Sequence, residues 1–376
     1  MKKLFPTVGE HPGWDARQTG RPQGGMAVAV GPGKERIERV QQGIPDLLAD
    51  ETTVRPARWT PPWRESLSGG IAHLLAAQQL PGAWFPALSV PRFVHGQSQG
   101  ICDLFGARVE LREDGNYFAH PLRPEPAAID AIEPRPLDTS IYWGAVEWLT
   151  YARAATGGRF AFRNSVMTGP FDTVNYLLGT TVLMEWVYTE PAVVHRLLDK
   201  VTEVIIAMLG VLQKAAGGVL HGDALGCMCN AYCLCSECRS LVSVGIYEEF
   251  EAPCLARIGQ RCGPYGIHSC GSWERTVPVA RRDPNLRAMN GHVRENDLAL
   301  LCELARGDIV LSIGRSQNVH DRHTWPDLRS FLSHVLRTTP ADQPLEITLA
   351  EEDLELWHEL SADIHCTGDP PAPSVS

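Results

Sequence analysis

The sequence predicts an α/β protein built as a single closed (β/α)8 barrel of the TIM type. Three observations predict it. Short apolar segments alternate with helical ones over most of the chain, which implies parallel strands, and the number of units fits a closed barrel better than an open sheet. An apolar fraction of 44% over 376 residues supplies a sizeable core. Chemically capable side chains, His221, Asp223, His268, Cys270, Asn290 and His292, fall where strands would end, the face on which such barrels keep their chemistry.

In chain order, residues 1 to about 60 are rich in Gly, Pro and charge, with Arg21-Pro22-Gln23-Gly24-Gly25 and Thr60-Pro61-Pro62 as punctuation. They read as an irregular arm. A helix is predicted from about Glu65 to Gln79, stopped by Pro81, and a hairpin follows across Glu113-Asp114-Gly115-Asn116. Pro121 to Pro136 reads as a linker. Beyond Asp138 come a helix at about 140–155, a strand at Phe160 to Asn164 and one helix from about Asp172 to Val187. The next helix, Glu190 to Ala216, places Val194, Leu197, Leu198, Val201, Ile205, Met208, Leu209 and Leu212 on one stripe, with Pro191 in its first turn and Gly217-Gly218 after it. Strands are predicted near 219–221, 265–268, 286–289, 309–313 and 345–349, separated by helices at about 245–260, 273–282, 295–306 and 324–337. Glu351 to Leu360 is expected to close the barrel. The expected organisation is an N-terminal arm and hairpin region over 1–135, a barrel core over 136–362 and a mobile tail over 363–376, whose Asp369-Pro370-Pro371-Ala372-Pro373 cannot pack.

Charge excludes one class of partner. With 34 basic against 44 acidic residues, a net charge of −10 and no Lys/Arg block, nucleic acid is not expected. No apolar run reaches the ~20 residues that span a bilayer, and Met1-Lys2-Lys3-Leu4-Phe5-Pro6 leads into polar residues, so a soluble, cytoplasmic protein is expected. Eleven cysteines, single or in one tight cluster, then point to reduced thiols and metal chemistry instead of disulfides.

Gly266-Ile267-His268-Ser269-Cys270-Gly271 carries the sharpest signal. Side chains at i and i+2 of a strand point the same way, so an imidazole and a thiolate can converge on one zinc ion. Separately, Cys227, Cys229, Cys233, Cys235 and Cys238 form C-x-C-x3-C-x-C-x2-C, dense enough for a second metal or iron-sulfur cluster, though the spacing matches no standard signature. Such a loop near the barrel mouth could also lend a thiolate to the His268/Cys270 site. Asp223 is either a turn or N-cap carboxylate or, with His221, a group that orients substrate or relays a proton.

Several blocks in order resemble the uroporphyrinogen decarboxylase superfamily, which includes zinc-dependent methyltransferases that work with corrinoid proteins or thiols. Phe105-Gly106-Ala107-Arg108-Val109-Glu110 resembles its "LGxxVE" strand, and Gly169-Pro170-Phe171-Asp172-Thr173-Val174-Asn175-Tyr176-Leu177-Leu178-Gly179 its "GPFTLxxYLxG" block. Glu190 to Thr202, Ser243 to Pro253 and Gly266 to Gly271 are similar to "DPELVHxLLDKxT", "SPExFEEFVLP" and "xxHxCG". The resemblance covers roughly 95–350 and implies a barrel of that family's type.

Departures narrow the chemistry it implies. The decarboxylase's "SDIL" aspartate falls near Gln97, its "FDSW" serine reads Asp223, no late "GHG" histidine follows, and Arg17-Gln18-Thr19-Gly20-Arg21 lies far upstream of the place its arginine motif should take. Tyr176 matches the decarboxylase tyrosine. His268 and Cys270 match the methyltransferase ligands, with the third ligand open among Glu351, Cys366, His292 and His221. The implied function is zinc-dependent methyl transfer to or from a corrinoid, free or on a partner protein. Asp223, His221 and Tyr176 would then be catalytic, and Asn290, His292 and Tyr176 would bind substrate. The alternatives are a metal-free decarboxylase of uroporphyrinogen or another carboxylated substrate, and a non-catalytic corrinoid- or metal-binding module.

Overall fold

The computed structural model describes residues 26–42, 44, 63–77, 79–80, 87–91, 97–113, 117–122, 125–164, 167–218, 220–222, 231–293, 295–305, 309–314 and 325–366. The strands are β1 (Met26–Gly31), β2 (Ala87–Ser89), β3 (Arg108–Leu111), β4 (Tyr117–His120), β5 (Ala161–Asn164), β6 (Met167–Thr168), β7 (Leu220–Gly222), β8 (Tyr232–Cys235), β9 (Tyr265–Ser269), β10 (Leu286–His292), β11 (Val310–Gly314) and β12 (Leu345–Ala350). The main helices are α1 (Lys34–Gln41), α2 (Trp63–Ala77), α3 (Pro126–Asp130), α4 (Trp143–Ala155), α5 (Pro170–Leu178), α6 (Thr180–Thr189), α7 (Pro191–Ala216), α8 (Ala252–Cys262), α9 (Val277–Ala280), α10 (Leu298–Ala305), α11 (Leu328–Thr338) and α12 (Leu354–Cys366).

Two parallel ladders make the barrel wall. One runs β1-β12-β11-β10-β9-β8-β6 and the other β2-β5-β7, while β3 and β4 form the separate antiparallel hairpin. β5 and β6 are consecutive pieces of one strand, since β5 pairs with β7 and β6 with β8. β7 and β8 are likewise pieces of one strand: it is cut after Gly222 and resumes at Ala231, whose carbonyl accepts the Gly222 N–H at 2.7 Å. The result is eight strand positions of a (β/α)8 barrel, with β1 and β2 the two not hydrogen-bonded to each other among the described residues.

The N-terminal boundary differs from the sequence expectation. β1 lies inside the segment read as an irregular arm, yet it pairs with β12 from Met26↔Leu345 to Gly31↔Ala350, and β2 pairs with β5. Both therefore belong to the barrel and not to an appendage over 1–135. The six-residue run Met26–Gly31, set between Gly24-Gly25 and Pro32-Gly33, is hidden by its punctuation; only its long-range partner makes it a strand.

The core follows the predicted stripe. Every one of the eight apolar residues named on α7 is buried, each contributing roughly 1.5–3 kcal/mol against exposure. The helix starts at Pro191 and ends where Gly217 takes a left-handed φ of 88°. The single helix expected over 172–187 is two, because Gly179 sits at φ 83°, a conformation that ends α5 and lets α6 start in a new direction. Before α8 the chain makes a π-turn over Tyr247–Glu251. Pro253 has no N–H to donate back into that turn, so the ladder slips there, and Glu251 is carried into the interior at 1% exposure. Among the described residues no helix is long and apolar enough to cross a membrane. Of the tail expected to be mobile, 363–376, residues 363–366 form the end of α12 and 367–376 lie outside the described residues.

Candidate metal centre

Two neighbouring strands of the barrel bring the candidate ligands together. β8 and β9 run parallel in a register that sets Cys235 beside His268. Cys270 follows one residue after β9, and Glu237 two residues after Cys235. Glu237 Oε1 lies 3.3 Å from Cys235 Sγ and 3.4 Å from His268 Nε2, and Cys270 Sγ lies 3.3 Å from the same Nε2. The candidate ligand atoms of Cys235, Glu237 and His268 all fall within 4.8 Å of one another. Glu237 also ties the strands together through its second oxygen, which accepts the Cys270 N–H at 2.7 Å.

A chain of hydrogen bonds fixes the imidazole. Asn290 Nδ2 donates to Ser312 O at 3.0 Å and to Ser312 Oγ at 3.1 Å, so its amide oxygen must face His268. That oxygen accepts from His268 Nδ1–H at 2.5 Å, which turns Nε2 toward Cys270 and Glu237. These residues occupy one tier of the barrel, since Thr168, Cys235, His268, Asn290, Ser312 and Glu346 are successive register partners from β6 to β12. In-register partners of parallel strands share a face, so the tier is a polar belt where barrels of this type usually stack branched apolar side chains.

The donor set fits zinc. Ligand distances of 2.0–2.3 Å at tetrahedral angles put donor atoms roughly 3.3–3.8 Å apart. The three separations here, 3.3, 3.3 and 3.4 Å, match that spacing. Two thiols, an imidazole nitrogen and a carboxylate oxygen meet here, and a metal displaces the protons such donors carry on binding. Without a cation the thiols are held protonated: partial burial and the charge of Glu237 push Cys270 up to about 12, and burial with Asp172 and Glu237 pushes Cys235 higher still. The Tyr176 phenol, partly buried near Asp172, Cys235, Cys238 and Glu237, is likewise pushed up and held protonated.

The other predicted residues scatter. Glu351 is at the end of β12, but its carboxylate accepts from Gly33 N–H at 2.7 Å and from Arg36 Nε at 2.8 Å, which binds it to the start of α1. Cys366 ends α12. His292 closes β10, where its carbonyl accepts from Asn296 Nδ2 at 2.9 Å, and His221 is buried on β7 level with Arg163. Asp223, Cys227 and Cys229 lie outside the described residues. The remaining cysteines do not act as one cluster: Cys235 joins His268, Cys238 bonds Asp172 from the turn beyond, and Cys233 is buried on β8. Sequence reasoning thus missed Glu237, and had the cysteine loop lending a thiolate to the His268/Cys270 site without singling out Cys235. The available signal was Tyr232-Cys233-Leu234-Cys235, which has the strand alternation used for His-x-Cys.

Comparison with known proteins agrees with this architecture. No curated protein sequence matches the chain. Among solved structures it is similar to a methyltransferase from Methanosarcina mazei, with a TM-score of 0.60 and 12% identity over 91% of this chain and 94% of that one, a likeness of fold. The profile of the uroporphyrinogen decarboxylase (URO-D) family matches residues 100–289, half of the sequence, from the 3₁₀ segment before β3 through β10. That match takes in the turn after β8 and the His268-x-Cys270 strand, and this chain belongs to the uroporphyrinogen decarboxylase family.

Proposed function

We propose that the chain is a zinc-dependent, methyltransferase-like enzyme that activates a thiol or hydroxyl substrate for methyl transfer to or from a corrinoid. The observation that carries the reading is the convergence of Cys235, Glu237 and His268, with Cys270 against the imidazole, at the carboxyl ends of β8 and β9. When bound, zinc supplies Lewis acidity that brings a substrate thiol or hydroxyl to its anion near neutral pH.

The residues divide the remaining work. Cys235, His268 and Cys270 anchor the ion, and Asn290 keeps the His268 tautomer. Glu237 is the donor that can yield its place to substrate, because its other oxygen is already held by the Cys270 N–H. Tyr176 keeps its proton and serves as a hydrogen-bond donor at the edge of the site. The corrinoid and any protein that carries it follow from the family resemblance, as does the fold likeness to a methyltransferase.

The test is metal content per chain of purified, reduced protein, with methyl-transfer assays against thiols and corrinoids. One zinc in the wild type, lost in Cys235→Ser and in Cys270→Ser together with activity, supports the reading. Wild type without zinc overturns it, and activity that survives metal removal assigns metal-free chemistry such as decarboxylation.

A further inference from the structure

We infer that Asp172 is a positioning residue for the metal centre: its buried carboxylate sets the turn that carries Cys235 and Glu237 into ligand geometry before any ion arrives. The inference rests on the metal reading above. Asp172 lies in the first turn of α5 and is 1% exposed. Its Oδ2 accepts the Glu237 N–H at 2.6 Å and its Oδ1 the Cys238 N–H at 2.8 Å. Both donors belong to residues just past the end of β8, where no strand partner takes them.

The neighbouring links of the same turn are also held from outside it. Gly169 N–H donates to Cys235 O at 2.7 Å, Ser236 N–H to His268 O at 2.8 Å, and Ser236 Oγ–H to Glu251 Oε1 at 2.5 Å. Four consecutive residues, Cys235 to Cys238, are therefore fixed by the start of α5, by β9 and by the π-turn. A carboxylate is expensive to bury, and what offsets that cost here is a pair of charge-assisted bonds that both end on the ligand turn. Asparagine cannot replace it. The amide has one acceptor oxygen, so its NH2 would face one of the two backbone N–H donors.

The experiment compares wild type, Asp172→Asn and Glu251→Gln by zinc competition titration, and by the thiolate-to-metal band of the cobalt(II)-loaded proteins. Glu251→Gln replaces the other acid of the same buried cluster, keeps an amide oxygen that can accept from Ser236 Oγ–H, and leaves both N–H acceptors in place. The expected result is zinc affinity about 10- to 100-fold weaker in Asp172→Asn with an altered cobalt band. Glu251→Gln should stay near wild type in both. Wild type that binds no zinc removes the metal reading and the inference with it. Wild type that binds, beside an Asp172→Asn of equal affinity and unchanged spectrum, overturns the inference alone, as does an equal loss in Glu251→Gln. Should Asp172→Asn not fold, amide exchange in metal-free wild type decides. Protected Glu237 and Cys238 amides support the inference, and amides that slow only when zinc is added refute it.

Discussion

Replacing Asn290 with alanine removes three hydrogen bonds in one step: the bond from His268 Nδ1 and the two to Ser312. Each is worth about 0.5–1.5 kcal/mol net, and the imidazole N–H that loses its acceptor costs more wherever water cannot reach it. The sum is a destabilisation of about 2–4 kcal/mol, well beyond what a half-buried surface substitution produces. The imidazole also loses the partner that selects its tautomer. The assay has two arms: urea unfolding of the metal-free protein, and 15N spectra of the His268 ring, which report the protonated nitrogen directly. Wild type should show Nδ1–H, and Asn290→Ala a mixture with Nε2–H. The argument fails if the variant unfolds within about 0.5 kcal/mol of wild type and its ring keeps the Nδ1–H tautomer.

Three more perturbations test the frame around the site. A methyl group at Gly169 would sit 2.8 Å from the Cys235 carbonyl oxygen, so Gly169→Ala should cost about 1–3 kcal/mol in unfolding experiments and weaken zinc binding by moving Cys235. Burial and the neighbouring Asp172 push Glu251 from 4.5 up to about 8. Between those values the folded carboxyl keeps a proton that the unfolded chain has lost, so stability falls as pH rises through the window, by at most about 1.4 kcal/mol per pH unit for this group. Glu251→Gln should flatten that slope in metal-free protein, leaving the Asp172 contribution, whose carboxyl burial pushes up to about 6; an unchanged slope would sink the assignment. Glu351→Gln should keep full zinc content while loosening α1 against β12, as read by amide exchange at Gly33, whereas loss of zinc would place Glu351 in the centre.

What the sequence made legible was whatever depends on local spacing. His268 and Cys270 are two apart on a strand, the α7 stripe repeats with helical period, and both patterns survive folding unchanged. What it concealed depends on partners distant in the chain. Cys235 becomes a neighbour of His268 only through the β8–β9 register, and β8 itself is buried on both faces, so it shows no alternation of burial to mark it. Asp172 reads as an ordinary first-turn acid, a common place for one. Its role emerges only when the turn at 237–238 folds back onto α5. The β1 strand is short and framed by glycines, so nothing local separates it from the arm. Glu351 shows the reverse case, a carboxylate of the right chemistry at a strand end that a nearby arginine and a backbone amide have already claimed.

Where the ligands sit in the ladder has a consequence for how the molecule comes apart. The seam between β1 and β2 is the place where the wall lacks hydrogen bonds among the described residues, and the ligand-bearing β8 and β9 have at least two strands between them and it on either path around the barrel. Each has paired neighbours on both sides. Opening that begins at the seam, as local fluctuations do where pairing is weakest, peels away β1, β12 and β2 before it reaches the thiols. The ligand cluster would therefore outlast the barrel's closure: protein nicked or frayed near its N-terminus could lose its circular wall and still hold an ion bound there, releasing it only when β8 and β9 part.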